Sequence, residues 1–464
     1  MDVLIILFSL AFLMIAAYRG ASVILFAPIA ALLAVALTEP GHVLPFFSGI
    51  YMEKLVGFVK LYFPVFLLGA IFGKLIELSG FARAIISAVT RVMGPNQAML
   101  AVVSVCAILT YGGVSLFVVA FAVYPFAAEL FRTADIPKRL IPGTIALGAF
   151  TFTMDALPGT PQIQNIIPTT FFHTTTWAAP RMGLLGAAFV LVVGMAYLEW
   201  RRRGAQAAGE GYGEGHKNEP EAPTDERLPH PAIALVPLLL VGVLNKVFGE
   251  LIPAAYGKTF SFAGIGLPSV DALDVGKVAA VWSVEAALVV AILATFALAH
   301  RRIVPSLNAG LNVAVGGAML AAMNTASEYG FGAIISSMSG FKAVSNGLGT
   351  AFSDPLVNEA VTTTTLAGIT GSASGGMSIA LAAMSETYLL QAAAANIPPE
   401  VLHRVAAMAS GGMDTLPHNG AVITLLAITG LTHRQAYGDI FAITIIKTVS
   451  VFVVIGGYHL FKLV

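Results

Sequence analysis

Met154-Asp155-Ala156-Leu157-Pro158-Gly159 recurs later in the chain as Met413-Asp414-Thr415-Leu416-Pro417-His418. Ahead of each copy stands another match, Ala134-Asp135-Ile136-Pro137 and Ala395-Asn396-Ile397-Pro398. Further ahead, Gly112-Gly113-Val114-Ser115 pairs with Gly375-Gly376-Met377-Ser378, and Gly80-Phe81 with Gly330-Phe331. Each match is weak alone. Four in the same order, with slowly drifting offsets, describe one internal duplication. The repeated residues are polar and helix-breaking, which a purely structural bundle has no reason to keep.

The surroundings of these motifs are apolar. Of 464 residues, 57% are hydrophobic and 11% charged, whereas an ordinary globular domain carries about a quarter charged residues. The surface of such a chain must face lipid. Lys plus Arg equals Asp plus Glu at 25 each, so no net field points to nucleic acid. The single cysteine, Cys106, excludes a disulfide framework and a thiolate metal site. Met1-Asp2-Val3 and the apolar run to Ala17 lack the basic start and cleavage site of a signal peptide, and read as a first span.

A span needs about 20 apolar residues. Such stretches fall at 3–18, 21–38, 54–78, 139–178 (interrupted), 181–200, 231–250, 276–299, 306–325, 402–431 (interrupted) and 437–461. Two more, 98–131 and 351–395, carry Gly/Ser clusters near the middle and read as re-entrant hairpins. Basic residues mark cytoplasmic loops, and Arg201-Arg202-Arg203 opens a Gly-, Glu- and Pro-rich segment, 201–230, that reads as a flexible cytoplasmic linker. Counting from there leaves both termini outside and inverts the second repeat relative to the first. The expectation is an all-α polytopic membrane protein of two inverted repeats, 1–200 and 231–464. Scaffold helices lie at 1–95 and 231–345, and hairpins with broken helices at 98–178 and 349–431. The last helix is 437–461.

Backbone breaks inside a membrane survive only against protein or a water-filled cavity. Residues 155–165, with Pro158, Gly159 and Pro161, cannot be one helix, and 411–420 breaks the second copy likewise. Each break leaves amides at a half-helix N-terminus, where the dipole adds partial positive charge. Two breaks and two tips meeting near the midplane would line a donor-rich pocket suited to a carboxylate without an arginine clamp. The expected binding residues are Gly112, Gly113 and Ser115 in the first tip and Thr160, Gln162 and Asn165 in the first break. Gly375, Gly376 and Ser378 serve the second tip, and Thr415, His418 and Asn419 the second break.

Buried carboxylates are costly unless paired or protonated. Asp155 and Asp414, at equivalent places, are proton-coupling candidates or else helix caps. His418, present only in the second copy, is a coupling candidate because a free imidazole changes charge near physiological pH, or else a neutral hydrogen-bonding histidine. Glu359 beside a run of threonines is a weaker coupling candidate. Glu328 is expected at a loop edge, and His173 and Trp177 as interfacial anchors. Nine histidines occur without HExxH, and GxxxxGK[ST] and Gly-x-Ser-x-Gly are absent, so a metalloprotease, an ATP-driven pump and a serine hydrolase have no motif here. No cofactor is expected.

The stretches Leu157-Pro158-Gly159-Thr160-Pro161-Gln162-Ile163-Gln164-Asn165 and Gly411-Gly412-Met413-Asp414-Thr415-Leu416-Pro417-His418-Asn419-Gly420 resemble the gluconate permease family of the ion transporter superfamily. The resemblance runs over essentially the whole chain and is nearest to the 3-hydroxybutyrate-type permeases. It implies a bacterial inner-membrane symporter for a small organic acid anion such as gluconate or 3-hydroxybutyrate, usually coupled to protons. It also implies a homodimer whose transport domain moves as an elevator. The Asn-Thr tip signature of sodium-coupled dicarboxylate relatives is absent, which leaves sodium coupling as the alternative within transport. An intramembrane enzyme is the rival from another class.

Overall fold

The structure, a computed structural model, describes residues 2–19, 21–94, 97–220, 228–341, 352–417 and 419–464. The chain begins with α1 (Asp2–Tyr18), α2 (Val23–Thr38), the short α3 (Val43–Phe46), a π-helical turn over Phe47–Met52, and α4 (Glu53–Leu78). After α5 (Phe81–Met93) come the helix pair α6 (Ala98–Tyr111) and α7 (Leu116–Thr133), then α8 (Ile141–Ala149), α9 (Phe152–Asp155), α10 (Ile163–Phe172) and α11 (Pro180–Ala207). The second half runs through α12 (Pro231–Tyr256), α13 (Val275–Ile303) and α14 (Leu307–Ser337). A second helix pair follows, α15 (Pro355–Thr370) and α16 (Ala373–Ala394), then α17 (Pro399–Ser410), α18 (Gly420–Thr429) and α19 (His433–Phe461). Between α12 and α13, β1 (Thr259–Phe260) and β2 (Leu273–Asp274) form a two-residue antiparallel ribbon. The chain is an all-α polytopic membrane protein. Among the described residues, five helical stretches are long and apolar enough to cross a membrane. Leu239 and Val243 of α12, Leu293 of α13 and Leu320 of α14 remain exposed, as lipid-facing positions do.

The repeat is visible in local geometry. Asp135 and Asn396 hold φ of 49° and 54°, a left-handed conformation that Asp and Asn tolerate better than most residues. Each is followed by the same closing bond, Ile136 N–H to Phe131 O and Ile397 N–H to Ala392 O, both 2.8 Å. Each then leads through proline into the helix before a break. The fourth match does not carry over: Gly80 is left-handed at the start of α5, whereas Gly330 lies inside α14. The 14 residues of α6 reach about 21 Å at 1.5 Å each, short of roughly 30 Å of hydrocarbon, a length that suits a re-entrant arm.

Three expectations need correction. The linker does not start at Arg201, because Glu199 pairs with Arg202 and Arg203 and carries α11 on to Ala207. Nor is its first part loose. Arg139 binds Glu210 through two bonds of 2.7 Å, and Lys138 binds Glu219 at 2.7 Å and Lys217 O at 2.7 Å. Tyr124 donates to Asn218 O and Asn218 to Ala427 O. Residues 208–220 are thus a strap joining the end of α7 to the end of α18. Glu328 is not at a loop edge either. Helix α14 runs on to Ser337, and Glu328 is 3% exposed within it. Trp177 also packs inward: its ring covers Gly159 in the first break, where a Cβ would overlap it.

Candidate functional site

The two breaks meet. Asp155 ends α9, and α8 packs on α19 while α17 packs on α9 and α10. Into this junction α19 sends Lys447, whose Nζ lies 3.2 Å from Asp155 Oδ2 and 3.6 Å from Asp414 Oδ1. Lys447 donates to Phe150 O at 2.6 Å, at the carbonyl end of α8, where the dipole favours a cation. The two facing carboxylate oxygens, Asp155 Oδ2 and Asp414 Oδ1, make no hydrogen bond of their own. All three side chains are buried. A Cβ at Gly411 would overlap Lys447 and Asp155, so glycine in the second break is what lets the first break's carboxylate approach.

Arg404 of α17 is fully buried on the other side of the junction. It donates to Asp155 O (2.8 Å), Asn165 Oδ1 (3.0 Å) and Ala178 O (2.7 and 3.2 Å). Its guanidinium is spent on carbonyl groups and does not form a free clamp. Asn165 is equally committed. Its amide donates to Thr160 O and Thr176 O, and its oxygen also meets His403 Nε2 at 3.2 Å. Asp155 and Asp414 are thus matched in number by Lys447 and Arg404.

The remaining predicted residues divide between this junction and the two tips. Thr160 donates to Thr153 O, and Thr415 meets Thr444. Gln162 donates to Thr110 O at 2.7 Å, and Tyr111 to Pro158 O at 2.9 Å, so the first tip is tied to its own break. Asn419 caps α18 and donates to Gly371 O at 2.7 Å, tying the second tip to its break. The tips themselves pack against different helices. Gly112 faces Leu238 of α12 and Gly113 faces Pro161, while Gly375 faces Glu328 of α14 and Gly376 lies on the Ala367 backbone of the opposite arm. Ser115 precedes α7 without a side-chain cap, and the Ser378 hydroxyl is buried without a partner. The breaks thus meet directly and each tip is tied to its own break, while the first tip also packs on Leu238 of α12 and the second on Glu328 of α14. Glu359 is fully buried in α15 with both carboxylate oxygens unbonded. His418 lies outside the described residues.

Sequence reading missed Lys447 and Arg404. Both sit inside apolar stretches, and an ionisable residue in such a stretch is itself a functional signal. A cavity of about 280 Å³ opens between α4 and α10, lined by Lys54, Phe58, Tyr62, Thr170 and Tyr329 among others. A second, of about 620 Å³, lies at the strap beside Arg132, Tyr212 and Glu219. Neither reaches Lys447.

Broken helices meeting around buried charge, in an all-α membrane fold, define the class: a transporter. The chain is 61% identical over 472 residues to the uncharacterized transporter YxjC of Bacillus subtilis (strain 168), with both chains covered completely. It belongs to the same transporter family. The crystal structure of the YdaH transporter of Alcanivorax borkumensis superposes with a TM-score of 0.51 at 14% identity, over 92% of this chain and 90% of that one, a likeness of fold. No family model matches the chain.

Proposed function

We propose that the chain is a secondary active importer of a small hydroxy-monocarboxylate, such as 3-hydroxybutyrate or gluconate. It works by proton symport across the bacterial cytoplasmic membrane, as a gluconate-permease-type elevator assembled as a homodimer. The observation that carries the reading is the junction of Asp155, Asp414, Lys447 and Arg404. Two carboxylates balance two cations in a buried place. A monocarboxylate entering there adds an unmatched negative charge, which a low-dielectric site penalises. One proton on a carboxylate removes that penalty and frees Lys447 to hold the substrate. Asp414 suits this role, being the more distant partner of Lys447 at 3.6 Å. Anion and proton then enter together because neither alone leaves the junction neutral.

Uptake of labelled acids into proteoliposomes, under separate proton and sodium gradients, tests the reading. Accumulation of a hydroxy-monocarboxylate driven by a pH gradient alone is the expected result. Accumulation that needs sodium, or none of these acids accumulating, would overturn it.

A further inference from the structure

The Glu328 carboxylate sits at the boundary between α14 and the tip of the α15–α16 hairpin. A Cβ built on Gly375 would fall on its Oε2 and Cδ, so the carboxyl lies directly against the first turn of α16. Ser372 caps that helix, its hydroxyl accepting from Gly375 N–H at 3.1 Å. The amides of Ala373 and Ser374, at the first two helical positions, have no acceptor within the helix. One turn away on α14, Thr325 meets Ser374 at 3.2 Å, which fixes the register of tip against helix. Glu328 is 3% exposed and its Oε2 has no hydrogen-bond partner. It is therefore a buried carboxylate, with one oxygen unbonded and Ser372 beside it, lying against the first turn of a helix carried by a different structural element.

We propose that Glu328 is a pH-gated latch: ionised, it holds the hairpin tip against α14, and protonated, it lets the tip slide. The inference rests on the reading that the hairpin moves relative to α14. A site can bias such a movement only if it binds its proton differently in the two positions. Glu359 lies within the hairpin, so its hairpin neighbours travel with it. Glu328 does not: the positive end of α16 leaves it when the hairpin slides, and an ionised carboxylate loses that partner. Because Glu328 stands on α14, its proton does not ride with the substrate. The latch thus sets the rate of movement and leaves the driving force to the Asp155–Asp414 junction.

The groups facing Glu328 leave it as the element that titrates. From the π-helical turn comes Tyr51, whose buried hydroxyl lies beside Ser327 and Glu328. From α16 come only Ser372 and Ser374, Glu386 being exposed at the far end. On α4, Glu53, Lys54 and Lys60 are exposed, and Lys74 pairs with Glu77 near Gly310. Gly310 is about 27 Å from Glu328 along α14 at 1.5 Å per residue. α2 carries no titratable residue, and on α14 itself the other one is Tyr329.

The test uses the full chain in proteoliposomes, with Ser374→Cys placed in a Cys106→Ala background. Its modification rate by a small neutral maleimide is compared with Glu328 and with Glu328→Gln. Each rate is divided by the thiolate fraction found by titrating that variant's thiol, which removes the direct effect of the Glu328 charge on the thiol before the ratio of the two is taken. The expected ratio is near one at pH 5.5 and rises to about tenfold at pH 8, the scale of a lost charge–dipole contact. Glu328→Asp, which keeps the charge but withdraws it from Gly375, should fall between them and guards against a misfolded Gln variant. A ratio that stays flat from pH 5.5 to 8 would overturn the latch. No substrate is needed, so failure of hydroxy-acid uptake strikes the proposed function while this ratio still decides the latch.

Discussion

Lys447 Nζ lies 3.2 Å from Asp155 Oδ2, which ties the last helix of the chain to the broken helix of its first half. Removing one member of a buried ion pair strands the other, at about 3–5 kcal/mol. Lys447→Met should therefore lower the thermal stability of the detergent-solubilised protein and abolish uptake. Adding Asp155→Asn alone to Lys447→Met, which leaves Asp414 matched in number by Arg404, should restore much of the stability but no transport. A double variant that transports would remove Lys447 from the substrate site.

Asp414→Asn mimics the protonated carboxylate but cannot release a proton. It should still exchange labelled for unlabelled substrate, yet fail to concentrate substrate under a pH gradient. Full proton-driven accumulation by this variant would make Asp414 a structural residue and shift coupling to Asp155 or Glu359.

Gly376 rests on the backbone of Ala367 and Leu366 in the opposite hairpin arm, where a Cβ has no room. Gly376→Ala should force the arms apart at about 1–3 kcal/mol, seen as a lowered melting temperature. Gly420→Ala is the matched control, since nothing lies within 4 Å of its would-be Cβ. Equal melting temperatures for the two variants would mean the arms are not packed this closely.

The strap titrates. The hydrogen bond from Arg139 holds Glu210 below the usual carboxylate range. Burial pushes Glu219 up, but Lys138 and Arg132 outweigh it and hold it below that range as well. Groups with lowered folded values stabilise fully above the ordinary Glu pKa of about 4.3 and lose that contribution as pH falls through the folded value. Amide exchange across 208–220 should thus accelerate below about pH 4 relative to α11, once corrected for intrinsic rates. Glu219→Gln should show the faster exchange already at pH 7. A strap whose protection ignores both changes is held by something other than these ion pairs.

The charge rule predicts sidedness. Impermeant thiol labelling in a Cys106→Ala background should reach cysteines at 135 and 396 from opposite faces. Labelling of both from one face would refute the inverted arrangement, even though their left-handed geometry is the same.

Much was legible because lipid makes local sequence decisive. A backbone group in hydrocarbon must bond within its own segment, so apolar runs had to become helices, and Pro158, Gly159 and Pro161 had to interrupt one. The turn at Ala134–Pro137 repeats at Ala395–Pro398 because Asp and Asn share a tolerance for positive φ. These are properties of neighbouring residues, and the order of residues contains them.

What the sequence could not contain is which distant groups meet. Asp155 and Asp414 looked like isolated carboxylates until packing of α19 brought Lys447 against both and packing of α17 brought Arg404 onto the Asp155 carbonyl. The polar segment 208–220 looked loose because its partners, Arg139 and Lys138, lie far earlier in the chain. The sequence likewise could not say that Leu238 packs on the first tip and the carboxyl of Glu328 on the second. The sequence by itself determined the helices, their breaks and their duplication, since these answer to local backbone satisfaction in lipid. Only the tertiary structure decided which charges are balanced and which is left alone, because a Coulomb energy depends on distance across the fold.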